Sequence, residues 1–235
     1  MTADAIVQVL RQYQDSKRAQ KLQKFFKTGK GEYGQADVFW GIRVPQLRTI
    51  AQHYTQLSLV ELEMLLHSLV HECRFTALVL LVQRFKKANE GLQKSLLRVY
   101  LRNTHMINNW DLVDISAPYI IGPFLTKELN GIQYRLAASH SLWERRIAVL
   151  SHFYLIRKER DYEQVLDFMR LFFCDSEDLI HKAVGWMLRE LGKRNQIMLE
   201  KFLDLYATQM PRVMLRYAIE KFNPQSRRLY LSKKI

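Results

Sequence analysis

Cysteine is nearly missing from this chain: there are two, Cys73 and Cys174, in 235 residues. They lie far apart and no C-x-x-C occurs, which excludes a disulfide framework and suits a reducing compartment. Glycine (9) and proline (5) are sparse too, which leaves few breakers for long helical stretches. Long apolar runs are absent. The stretch 77–82 is among the longest, far short of the ~20 residues a membrane-spanning helix needs. The opening MTADAIVQVLRQYQ has neither a basic n-region nor an apolar h-region. It does not read as a signal peptide, and a cytoplasmic protein is expected. Acidic residues are scarce as well: Asp plus Glu is 23 against 36 Lys plus Arg, a net charge of +13. A field of that sign favours a polyanionic partner, whether nucleic acid, an anionic membrane surface or an acidic protein.

What is present is ordinary for a globular protein, with 48% hydrophobic and 25% charged residues. The length allows one domain or two small ones; a single domain over 1–235 is expected. Apolar residues recur at i, i+3, i+4 and i+7, and almost none alternate. Leu10, Tyr13, Leu22, Phe25 and Phe26 fit a first helical region, Leu62, Leu65, Leu66 and Leu69 a second, and Phe75, Leu78, Val79, Val82 and Phe85 a third. Gly91, Gly122-Pro123, Gly131 and Pro211 fall between such stretches as breakers. The pattern predicts an all-helical protein. Residues 28–43 lack helical character and should form a loop, with Pro45 opening the next helix.

A repeat is visible in the helices. Arg74-Phe-Thr-Ala77-Leu78, Arg145-Arg-Ile-Ala148-Val149 and Lys182-Ala-Val-Gly185-Trp186 each read as a cation, two residues, a small residue and an apolar one. Asp114-Ile-Ser-Ala117 has the same spacing, and Arg216-Tyr-Ala218 is a degenerate last copy. The small residues at 77, 117, 148 and 185 are 40, 31 and 37 apart. A period of about 36 in an all-α chain predicts a curved solenoid of stacked HEAT-like helical repeats. The same helix of each pair would line the concave face, so cations in the repeat slot would form a basic stripe suited to a duplex backbone. Residues 212–235 add seven cations (Arg212, Arg216, Lys221, Arg227, Arg228, Lys233 and Lys234) against one acid, Glu220.

One repeat departs from the pattern, because its cation slot holds Asp114. An acid on a surface meant for phosphates costs affinity, so it calls for a reason. The local sequence is Asn108-Asn109-Trp110-Asp111-Leu112-Val113-Asp114. Asn109 can cap a helix there, and Trp110 and Asp114, four apart, then share a face. Trp186 follows Lys182 by four, and Trp143 precedes Arg146 by three. The bland alternative is that these tryptophans are core residues and that Asp111 and Asp114 are simple caps.

Four segments resemble the AlkD-type DNA alkylation repair proteins, bacterial glycosylases built from HEAT-like repeats: FWGIRVPQLR (39–48), WDLVD (110–114), LWERR (142–146) and KAVGWMLRE (182–190). Their order and spacing match across roughly residues 20–220. The resemblance implies that Asp114 is the catalytic carboxylate, and that Trp110 and Trp186 flank the lesion nucleotide. It implies that Arg146 holds backbone phosphate, with Arg48, Lys182 and Arg189 on further phosphate-facing positions. The repeat alignment favours Arg145 in the slot that the family motif gives to Arg146. The activity implied is that of a monofunctional alkylpurine glycosylase, hydrolysing the glycosidic bond of cationic N3- or N7-alkylated purines in duplex DNA. No cofactor, metal, membrane or obligate protein partner is implied, and the protein is expected to be a monomer in a bacterial cytoplasm, on the nucleoid when bound to DNA.

The chemistry suits a small site. A purine alkylated at N3 or N7 already carries positive charge and leaves as a neutral base, so no strong general acid is needed. A carboxylate beside C1′ can stabilise the oxocarbenium-like sugar and orient water. Indole faces stabilise such cations by about 0.5–2 kcal/mol each. Two other classes stand beside this: a non-catalytic repeat protein recognising damaged or unusual DNA, and a protein–protein scaffold. His67 and His71 have i,i+4 metal spacing near Cys73, but no H-E-x-x-H accompanies them. Gly29-Lys30-Gly31 lacks the P-loop frame, and Asp175-Ser-Glu-Asp178 reads as helix capping.

Overall fold

The computed structural model describes residues 1–125 and 131–233; Lys234, the last of the predicted C-terminal cations, lies outside them. The chain is all-α. Two compact units divide it, Met1–Ile120 and Ile121–Ile235. The first holds α1 (Ala3–Arg11), α2 (Ser16–Phe25), α3 (Val44–Gln52), α4 (Leu59–Leu66), α5 (His71–Lys87), α6 (Glu90–Arg102) and α7 (Trp110–Ile120). The second holds α8 (Ile132–Ala137), α9 (Leu142–Ser151), α10 (Phe153–Lys158), α11 (Tyr162–Arg170), α12 (Asp178–Gly192), α13 (Gln196–Tyr206), α14 (Arg212–Ala218) and α15 (Pro224–Ser232).

Polar caps mark where the helices begin. Thr2, Asp15, Ser58, Asn89, Ser141, Asn195 and Asn223 each accept a bond from the backbone N–H three residues on, satisfying donors that the helix leaves open. Within the first unit α5 packs against α3, α4 and α7; within the second α12 packs against α9, α13 and α14. α5 is buried on nearly every side, from His71 through Val82, as a central helix should be. Each large apolar side chain so buried contributes about 1.5–3 kcal/mol.

The small residues of the repeat all lie inside. Ala77, Ala117 and Ala148 are fully buried, Ala218 nearly so, and Gly185 is buried with them. At Gly185 the reason is direct: a Cβ there would stand 2.4 Å from the carbonyl of Met214 and 2.5 Å from Cβ of Tyr217. Stacked helix pairs at a period near 36 are thus present in both units.

The details differ in places. The first helical region is two helices, and Tyr13 between them is exposed. α2 buries none of its residues. Pro45 takes the second position of α3, behind Val44. Gly91 sits inside the first turn of α6 and does not break it. Leu69 lies beyond α4 and is exposed. Residues 28–43 do form a loop, pinned by a single bridge from Val38 to Val70. Gly41 in that loop has φ +83°, and a Cβ on it would sit 2.2 Å from the carbonyl of Asp15; only glycine meets both conditions.

Candidate functional site

The W-D-x-V-D segment opens α7. Asn109 precedes it, its carbonyl accepting from Val113 N–H at 3.2 Å and its side-chain oxygen from Trp110 N–H at 2.9 Å. Asn109 is therefore the expected cap, although its side chain reaches the first N–H of the helix and not the third. Trp110 and Asp114 follow one turn apart, both half-buried. Pro118, four residues after Asp114, withholds the N–H that would otherwise bond the Asp114 carbonyl. Asp114 lies near Tyr100, whose hydroxyl pairs with Ser116 Oγ at 3.0 Å. Burial, with the Asp114 charge in support, pushes the Tyr100 phenol well above its ordinary range.

Trp110 is held by aromatic packing from the end of α2. Phe26 stacks on it, with centroids 5.1 Å apart and planes within 14°, and Phe25 meets it edge-on at 5.8 Å. Phe26 also stacks on Phe39 at 4.9 Å, and Phe39 on His71 at 4.4 Å.

Beneath this stack lies a buried polar network that periodicity did not reveal. His71 stands between two carboxylates: Nδ1 is 3.0 Å from Asp37 Oδ2 and Nε2 2.9 Å from Asp111 Oδ2. Arg74 donates to Asp37 Oδ1 at 2.6 Å. Asn108 and Asn109 donate to the same carboxylate at 3.2 and 3.1 Å. Burial alone would push the His71 imidazole down, but the paired carboxylates outweigh it and lift it to about 9. Asp37 is pushed up by burial and pulled down further by His71 and Arg74, so it ends below the usual carboxylate range. Next to His71, Glu72 accepts from the backbone N–H groups of Trp40, Gly41 and Ile42, fixing the end of the 28–43 loop. His67, the other member of the metal-spaced pair, bonds Asn103 Oδ1 at 2.6 Å. Sequence did contain one pointer: Asp111 stands inside the motif. Its partner His71 lies forty residues away on another helix.

Two of the repeat-slot cations, Arg74 and Arg145, turn out to be occupied. Arg74 donates to the carbonyls of Ser68 and Leu69 as well as to Asp37, and it is buried. It contributes nothing to an exposed stripe. Arg48 is exposed, with its guanidinium over the Phe75 ring at 5.9 Å.

In the second unit Arg145 pairs with Asp175 at 2.7 Å and donates to the carbonyls of Ser139 and His140. Asp175 does not cap α12, whose N-cap is Glu177 with no side-chain cap bond; it accepts from the Glu177 N–H before the helix and from Arg145. Arg146 is buried and donates to the carbonyl of Leu179 at 2.7 Å. Lys182 lies 4.0 Å from Asp178. Trp186 is half-buried, donates from Nε1 to Glu190 at 3.2 Å and lies beside Phe153. Arg189 pairs with Glu220 and lies 3.8 Å from Glu190. α12 thus carries Lys182, Trp186 and Arg189 along successive turns.

The sequence profile of the DNA alkylation repair enzyme family matches residues 6–222. The chain belongs to that family. A solved structure described as a predicted DNA alkylation repair enzyme from Enterococcus faecalis shares the fold, with a TM-score of 0.68 at 17% identity over 90% of this chain and 97% of that one. No curated protein matches the sequence. Family membership gives the chain a role in alkylation repair and makes DNA its partner, in keeping with the charge of +13. Among the described residues no helix is long and apolar enough to cross a membrane.

Proposed function

We propose that this member of the alkylation repair family is a monofunctional DNA glycosylase that hydrolyses the N-glycosidic bond of cationic N3- or N7-alkylated purines in duplex DNA. The observation that carries the reading is the first turn of α7. Trp110 is held by the stacked ring of Phe26 and the edge of Phe25, and Asp114 follows one turn later on the same face. An ordered indole face attracts a cationic base. A carboxylate placed beside it stabilises the charge that develops on the sugar as the neutral base departs, and it orients the attacking water. Trp186, on α12 of the second unit, is proposed to meet DNA through its indole. Arg48, Lys182 and Arg189 are proposed to engage backbone phosphates, each contact adding a salt-dependent increment of affinity; Arg146, the phosphate position of the family motif, is buried and donates to the Leu179 carbonyl. Arg145, paired with Asp175, holds the loop before α9 through its hydrogen bonds.

Base release from duplex DNA containing N7-methylguanine or N3-methyladenine tests the reading, with Asp114→Asn alongside. The expected result is release by the wild type and a loss of about 10²-fold or more in the variant, with DNA binding retained. Release that survives the substitution removes Asp114 from the mechanism. Tight, salt-sensitive DNA binding without any release replaces the glycosylase with a non-catalytic DNA-binding repeat protein.

A further inference from the structure

We propose that His71 is a positioning residue: its bridge between Asp37 and Asp111 sets the first turn of α7, and with it Trp110 and Asp114, against the 28–43 loop. This rests on the glycosylase reading for its kinetic consequence, though not for its structural one.

The bridge is specific in its chemistry. Ionised carboxylates only accept hydrogen bonds, so a ring between two of them satisfies both only when both of its nitrogens donate. That form is the imidazolium, and its elevation to about 9 agrees. The charged groups facing the ring are Asp37 from the loop and Asp111 from α7; Arg74, from the same helix as His71, meets it through Asp37. Within this bridge the carboxylates of Asp37 and Asp111 face the cations of His71 and Arg74. The ring plane is set by Phe39 and by Phe26, 5.2 Å away.

The bonds converge on both sides of Trp110. Before it, Asn109 ties Asp37 to the Trp110 N–H. After it, Asp111 divides its oxygens between His71 and the N–H of Leu112, the latter at 2.8 Å. The same Phe26 that stacks on Trp110 touches the His71 ring. Network and aromatic stack therefore restrain one residue from below and from the side. A displacement of about 1 Å in a reacting group costs on the order of 10²-fold in rate, so a turn held this way affects chemistry without touching substrate.

The test is His71→Gln, whose amide donates to one carboxylate but turns its oxygen on the other. Single-turnover release should fall at least ~10-fold while the half-saturating protein concentration stays within about twofold. Wild-type release should decline as pH rises through about 9, and the variant should lack that limb. Asp111→Asn keeps the bond to Leu112 and should move the limb to lower pH; it carries the test should His71→Gln fail to fold. Wild-type release rates in the variant, or a loss matched by lost DNA binding, overturn the proposal. If the wild type releases no base, the glycosylase reading fails, and the indole ¹H–¹⁵N resonance of Trp110 decides the bridge by itself. That resonance should shift with the His71 titration in the wild type, and the shift should move to lower pH in Asp111→Asn; an unresponsive resonance in the wild type overturns the proposal.

Discussion

Arg74 and Arg145 do the same work in different units. Each donates to the two backbone carbonyls five and six residues before it, Leu69 and Ser68 for one, His140 and Ser139 for the other. Each then pairs with an aspartate from a distant loop, Asp37 or Asp175. The repeat-slot cation is thus a clasp that closes the turn leading into its helix. The sequence pattern was real, but its meaning at these two positions is structural, because a planar guanidinium can satisfy two carbonyls and a carboxylate at once.

Removing one clasp should loosen its unit. Arg145→Met leaves Asp175 buried without its cation and two loop carbonyls without a donor. Breaking a fully buried pair costs 3–5 kcal/mol; Arg145 is 15% exposed along its side chain, so a loss of about 2–4 kcal/mol is expected. Urea titration of Arg145→Met, Asp175→Asn and the double variant measures it. A coupling energy indistinguishable from zero would refute the clasp.

Two glycines give opposite expectations for one substitution. Gly185→Ala must push backbone atoms of α14 away from α12, and should cost about 3 kcal/mol. Gly91 is exposed near the start of α6, and a Cβ there meets only Asn89 Oδ1 at 3.8 Å. Gly91→Ala should stabilise by about 0.4–1 kcal/mol through the unfolded chain. Thermal melting of both variants distinguishes close packing from a general intolerance of alanine.

These contrasts show what periodicity carries and what it does not. The buried Ala77, Ala148 and Gly185 could be found by spacing because helix stacking imposes a period on whatever residue must be small. Residues 28–43 were legible as loop for want of that period. Glu72 and His71 were not, since they open α5 as buried polar residues ahead of its apolar pattern, and their partners lie on other elements. Trp110 and Asp114 were reached through their motif and their shared face. Phe26, which holds Trp110, looked like one more apolar position at the end of a helix.

Glu72 allows a local test. One carboxylate takes the N–H groups of Trp40, Gly41 and Ile42, charge-assisted bonds in a buried setting. Glu72→Gln keeps one acceptor oxygen but turns an amide donor on the N–H of Trp40, and should cost about 1–3 kcal/mol. Hydrogen exchange should rise at the amides of residues 40–42 more than in the interior of α5. Uniform loss of protection across α5 would show that the side chain supports the helix and not the loop.

His152 should set an acid limit on the second unit. It is fully buried and stacked on Phe168 at 4.0 Å. Nδ1 donates to the carbonyl of Ala148 at 2.9 Å, and Nε2 has no partner among the described residues. Burial pushes the imidazole down to about 4, against a smaller opposing pull from the Ala148 bond. The unfolded chain takes up the proton near pH 6.5, so between pH 6.5 and 4 it binds more protons than the folded one. Stability must fall as pH falls through that window. His71 cannot supply this loss, because its folded value is raised, so its contribution is complete below pH 6.5 and disappears toward 9. His152→Phe keeps the stack and has nothing to protonate. Its denaturation midpoint should hold nearly level from pH 6.5 to 4.5 where the wild type declines, and parallel curves for the two proteins would assign the acid limit elsewhere.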